Sequence, residues 1–169
     1  MRSRTSLRAV GAAAAAFALA LGCASITNYV GRPFRKPGEQ LWAFPEKVWA
    51  QYNCGAQKLP FFTIERFELH PQRMKPGEKF AHRLVYVLCA ETTTSVVTGK
   101  LQTRIMNKGK PIVSRDETYD LKPGRWGVDA FVELPASAEM GVYAFELDFE
   151  AGGVQFERSL TFAVDSPAS

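Results

Sequence analysis

From Leu59 to about Asp165 the apolar residues fall mainly on alternate positions, and turn-forming residues interrupt them every 8 to 14 positions. A two-residue period puts side chains on opposite faces of an extended chain, so the pattern predicts strands with a buried face. "KFAHRLVYVLCAE" sets Phe80, Leu84, Tyr86 and Leu88 on one face and Val85, Val87 and Cys89 on the other. "VVTGKLQTRIMN" turns Leu101 and Ile105 inward and Lys100, Gln102 and Arg104 outward, and "NKGK" then forms a hairpin turn. "RWGVDAFVELP" points Trp126, Val128, Ala130, Val132 and Leu134 to one side, while "VYAFELDFE" and "VQFERSLTFAV", joined by "AGG", alternate almost perfectly. In "FTIERFELH", Ile64 has one parity and Phe67 and Leu69 the other, which calls for a bulge or a crossing between sheets. "PIVSRDETYDL" alternates less regularly, and "PQRMKPGE" reads as a turn. The expectation is an all-β fold, a single sandwich of about seven antiparallel strands over residues 59–165, with 166–169 as a tail.

Upstream the pattern changes. In "QLWAFPEKVWAQYNC", Pro45 suits the first turn of a short helix whose one face carries Val48, Trp49 and Tyr52, so residues 39–58 read as an aromatic cover segment, helical or irregular. Residues 23–38, with Pro33, Pro37, Arg32, Arg35 and Lys36, read as a tether that is either a solvated linker or rests on anionic head groups. In residues 1–22, Arg2, Arg4 and Arg8 precede the uncharged run "AVGAAAAAFALALG", the layout of an export signal. The run is too short and alanine-rich for a permanent span, which takes about 20 strongly apolar residues.

That run ends in "LALGC", residues 19–23, which resembles the lipobox of bacterial lipoproteins. The resemblance covers the leader alone. It implies that Cys23 receives a diacylglycerol, that the leader is cut before it, and that the new amine is acylated. Ala24 follows where an aspartate would imply retention in the inner membrane, so the resemblance implies an outer-membrane anchor with the domain facing the periplasm or the cell surface. An ordinary secretory signal, leaving Cys23 as a free thiol, is the alternative.

"EMGVYAF" at 139–145 resembles the tyrosine-corner stretch of immunoglobulin-like domains. The resemblance implies that the Tyr143 hydroxyl bonds a nearby backbone carbonyl. Phe145 stands where antibody domains carry a cysteine, which points to the broader immunoglobulin-like or fibronectin-III-like group.

With 46% apolar and 12% aromatic residues among 169, the chain has ample material for one core. The formal charge of +4 is no footprint of nucleic-acid binding, since loss of Arg2, Arg4 and Arg8 leaves 18 basic against 17 acidic residues. His70 and His82 read as ordinary strand-end residues. No Cys or His pair has metal-ligand spacing, and no nucleophile elbow, phosphate loop or zincin motif occurs, so neither metal, cofactor nor catalytic residue is expected. Asp116, Glu117 and Asp120 read as a solvated acidic loop in preference to a calcium site. Glu146, Asp148 and Glu150 alternate on the outer face of their strand, where Lys100 and Arg104 would face them. These five make a candidate interaction face, with a solvent face balanced by cross-strand pairs as the plainer reading.

If Cys23 is lipidated, Cys54 and Cys89 remain as a disulfide candidate in an oxidising compartment, two buried thiols being the alternative. In an immunoglobulin-like sheet, Val85, Val87, Cys89 and Phe131 would form an apolar stripe on a face that normally meets water. The expectation is that Trp42, Phe44, Trp49 and Tyr52 cover that stripe and that a Cys54–Cys89 bond staples them there. The function expected is a non-enzymatic structural or protein-interaction module on the envelope, membrane-bound through its lipid, with an envelope protein as partner. The alternative is a ligand-binding module for envelope glycan or a surface substrate.

Overall fold

The computed structural model describes residues 37–166. The leader, Cys23, most of the tether and the end of the tail lie outside the described residues. The elements are β1 (Gly38–Ala43), α1 (Pro45–Gln51), a 3-10 turn (Cys54–Ala56), β2 (Phe61–His70), β3 (Arg73–Met74), β4 (Lys79–Cys89), β5 (Val97–Asn107), β6 (Lys110–Leu121), β7 (Gly124–Glu133), β8 (Gly141–Ala151) and β9 (Val154–Val164). They form two sheets, ordered β1-β7-β4-β2 and β3-β9-β8-β5-β6.

Alternation decides which face is buried. Along β8, Tyr143, Phe145, Leu147 and Phe149 are buried, and between them Glu146 and Asp148 point outward. Leu84, Tyr86 and Leu88 of β4 pack with Leu147, Phe149 and Phe156 from the facing sheet, and Phe80 packs with Ile105, Phe145 and Phe162. Each such side chain contributes roughly 1.5–3 kcal/mol by leaving water. The parity conflict in β2 is resolved by a bulge: Ile64 pairs with Tyr86 and Arg66 with Val85, so Glu65 is the extra residue and both Ile64 and Phe67 turn toward the core.

The expected strand count of seven is corrected to nine among the described residues. Gly38–Ala43, expected as tether and cover segment, pairs antiparallel with β7 as an edge strand. Six residues are too few to show a period, and the free edge of β7 supplies the hydrogen bonds that extend them. Arg73–Met74, expected within a turn, pairs parallel with β9. Met74 is buried in the core, which gives this short pairing its apolar anchor.

On the outer face of the four-stranded sheet, Val85, Val87 and Cys89 are all buried. Helix α1 forms as Pro45 predicted, and Val48 and Cys54 cluster there with Val87 and Cys89, flanked by Trp49 and Tyr52. Cys54 and Cys89 are joined as a disulfide, with Cα atoms 5.8 Å apart. Trp42 lies over Gly127, where a Cβ would come within 2.8 Å of the indole, and the guanidinium groups of Arg83 and Arg125 flank its ring. A glycine here gives the aromatic ring a flat seat against the backbone. Two expected members stand apart from the cover: Phe44 is 68% exposed and Phe131 is 42% exposed. Phe131 pairs with Ala81, toward the end of the sheet away from Cys89, where the cover does not reach.

Candidate functional site

Two surfaces combine accessible backbone or space with polar side chains. The first is the outward face of β5 and β8. Arg104 sits opposite Glu146 in register and reaches both Glu146, at 3.0 Å, and Asp148. Lys100 is in register with Glu150, but its ammonium turns the other way and pairs with Asp116 of β6 at 2.7 Å, a correction to the expected facing of Lys100 onto the β8 acids. Most of this face is therefore internally paired, and the Lys100 salt bridge holds the Asp116 carboxyl below its ordinary range. The acidic residues expected in a loop lie on strand β6 instead. Asp116 also accepts from Gln102, Asp120 accepts from Thr98, and Glu117 pairs with Arg115. No three metal-ligating side chains gather among the described residues.

The second surface lies where the sheets open between β6 and β7. β6 is the last strand of its sheet, and β1 covers the edge of β7 only as far as Asp129. A cleft of about 400 Å³ enters there. Leu84, Leu101, Val128 and Leu147 line its walls from both sheets, with Tyr119 and His82 among them. At one end Glu39 of β1 bridges across to the other sheet, accepting from the Tyr119 hydroxyl at 2.7 Å and pairing with Lys122. The Tyr86 hydroxyl accepts from the backbone N–H of Lys122 at 3.0 Å. Burial pushes both the Tyr86 and Tyr119 phenols up, so they act as neutral hydrogen-bonding groups.

His82 corrects the strand-end expectation. It is 7% exposed, its ring lies 4.8 Å from that of Phe145, and its Nδ1 is buried without a hydrogen-bond partner. Burial lowers its pKa to about 4, against a smaller opposing pull from Asp129. An unfolded histidine titrates near 6.5, so between these values the unfolded chain binds a proton that the folded chain excludes. The contribution of His82 to stability should therefore be full above about pH 6.5 and be lost as pH drops toward 4, by roughly 3 kcal/mol. Urea unfolding at pH 7 and pH 4.5 should show this loss in the parent protein. In His82→Phe the loss over the same interval should be smaller by about 2 kcal/mol or more. Equal losses in the two proteins would contradict a buried neutral His82.

No protein-family model matches the chain, and no curated protein matches it. Among solved structures, the sporulation control protein Spo0M from Bacillus subtilis is similar with a TM-score of 0.45 at 14% identity, over 62% of this chain and 49% of that one. A cycloisomaltooligosaccharide glucanotransferase from Paenibacillus sp. is similar with a TM-score of 0.45 at 22% identity, over 63% of this chain and 14% of that one. The alkylpurine DNA glycosylase AlkC from Pseudomonas fluorescens is similar with a TM-score of 0.44 at 11% identity, over 61% of this chain and 30% of that one. The chain thus spans half or less of the length of these proteins. No activity follows for this chain from likenesses at this level.

The predicted site residues fall into separate places. Lys100, Arg104, Glu146, Asp148 and Glu150 share one outer face, while Cys54 and Cys89 lie under the cover on the opposite sheet. Tyr143 is buried, and its hydroxyl donates to the Glu139 carbonyl at 2.8 Å. Cys23 lies outside the described residues. Sequence reasoning missed the cleft and its polar residues Glu39, Tyr119 and His82. One signal was available: His82 shares its parity with Phe80 and Leu84, a polar residue on an otherwise apolar face.

Proposed function

We propose that this chain is an exported, lipid-anchored β-sandwich that serves as a protein-interaction module in the bacterial envelope. The Cys54–Cys89 pairing supports an oxidising compartment and leaves Cys23 as the remaining cysteine, free to carry the acyl anchor at the outer membrane. For the fold, an immunoglobulin-like or fibronectin-III-like sandwich is supported by the grouping of β2, β4 and β7 against β6, β5, β8 and β9, and by the Tyr143 hydrogen bond.

The observation that carries the interaction reading is the edge strand β6. It spans 12 residues and has β5 as its one neighbour among the described strands. Such an edge offers a row of backbone donors and acceptors to an extended segment of a partner, with side-chain pockets giving specificity. The glycan reading draws less support, because Phe44 and Phe131 are the aromatic members of the exposed large apolar set.

The test uses the full chain in a Gram-negative host, with a photocrosslinking residue at Ser114 or Thr118 of β6, or at Glu157 or Thr161 of β9. Both β6 positions should capture the same envelope protein and the β9 positions should not. Equal capture from both strands, or none from β6, would refute docking at this edge.

A further inference from the structure

We infer that the cleft between β6 and β7 binds a small, uncharged, largely apolar molecule that carries a hydroxyl group, held by a hydrogen bond to His82. The cleft is lined by inward side chains of β6, whereas the interaction reading uses the backbone edge of that strand, so this inference does not rest on that reading.

The walls set the body of the ligand. Leu84 and Val128 come from one sheet and Leu101 and Leu147 from the other, so the cleft reaches the sandwich interior. Its volume of about 400 Å³ is ample for a compact bicyclic molecule and falls within the range of small-molecule sites.

His82 sets the polar group. It lines the cleft, and its Nδ1 is buried with no hydrogen-bond partner. Buried polar side chains in folded proteins are almost always satisfied, so an unpartnered imidazole in the lining of a cleft marks a place for a polar group of a ligand. A neutral imidazole nitrogen either donates or accepts depending on tautomer, and a hydroxyl answers both cases.

The rim excludes a charged head group. Asp129 and Glu133 pair with Arg83 at 2.6 Å and Lys79 at 3.4 Å on the outward parity of β7, so the carboxylates on the inward parity of the lining are Glu39, held by Lys122, and Glu117. Arg115, the basic residue of the lining, is itself paired with Glu117 at 2.8 Å. A carboxylate or phosphate would enter beside the Glu39 and Glu117 carboxylates and find no unengaged cation in the lining. An ammonium would have to displace an existing partner of one of those carboxylates.

The probe is 2-naphthol, with 2-naphthoate as the charged analogue and 2-methylnaphthalene as the analogue without a hydroxyl. The protein is the full chain carrying Cys23→Ser, so that no acyl group competes. The chain has two histidines, so labelled imidazole groups give two sets of NMR signals, and His82→Phe assigns them. 2-Naphthol should shift the His82 signals saturably and leave those of His70 in place. The anion should bind at least tenfold more weakly. In His82→Phe, 2-naphthol should bind about five- to tenfold more weakly, as loss of one neutral hydrogen bond implies, and its preference over 2-methylnaphthalene should vanish. Leu101→Trp, which fills the cleft, should abolish binding of both neutral probes; Val128→Phe serves if that variant does not fold, as read by near-ultraviolet circular dichroism. The inference fails if the His82 signals stay still up to the solubility limit of 2-naphthol, if a folded cleft-filling variant still binds, or if 2-naphthoate binds as well as 2-naphthol.

Discussion

Replacing Cys54 and Cys89 together by alanine should lower the free energy of unfolding by about 3–4 kcal/mol while leaving both sheets intact. The bond ties residues 35 apart in sequence, and a loop of that size loses much of its unfolded-state freedom when closed. It also holds the turn after α1 against the β2 edge of the sheet, since Cys89 pairs with Phe61 while Val48 and Val87 are buried beside it. Urea denaturation of the oxidised parent, the reduced parent and the double variant measures the loss, and amide hydrogen exchange locates it. Exchange should rise first in residues 45–56, because the cover gives up its anchor before the strands do. A variant within 0.5 kcal/mol of the parent would mean that packing of Val48, Trp49 and Tyr52 holds the cover unaided.

Phe145→Ala should cost about 3–5 kcal/mol, the range for removing a large aromatic side chain from a core that cannot close over the space. Phe145 is fully buried in the middle of β8 and meets Phe67, Phe80 and His82, with ring centroids 6.0, 5.4 and 4.8 Å away. Its loss therefore opens the contact between the sheets at the floor on which His82 rests. Phe131→Ala is the matched control, since that ring is 42% exposed and should cost well under 1 kcal/mol. Thermal and urea unfolding of the two variants side by side test the assignment of inner and outer faces on β8 and β7. Equal costs would contradict it.

The chemistry of the molecule was less legible than its strands. Lys100 was placed on the correct face, yet its partner is Asp116 on β6, because β5 lies between two strands that both offer carboxylates. Parity gives the face, and only strand order gives the neighbour. The sequence distinguished His82 from its apolar neighbours, but its meaning depended on a gap between β6 and β7 that no local pattern encodes. Glu39 likewise sat in a stretch with no period, and its role came from lying beside Tyr119 and Lys122, each about 80 residues away in sequence.

Alternation along β4, β5, β7, β8 and β9 was enough by itself to determine an all-β chain and its inward residues, because burial of one face depends on a two-residue period written locally. The parity break in β2 called for a bulge or a crossing, of which the structure has the bulge, and Pro45 suited the first turn of the helix that forms as α1. Tertiary structure decided the rest: the pairing of β1 with β7 and β3 with β9, the seat of Trp42 on Gly127, the meeting of Cys54 with Cys89, and the cleft beside His82. Each is a contact between residues far apart in the chain, and short segments take their structure from the edge or surface that receives them.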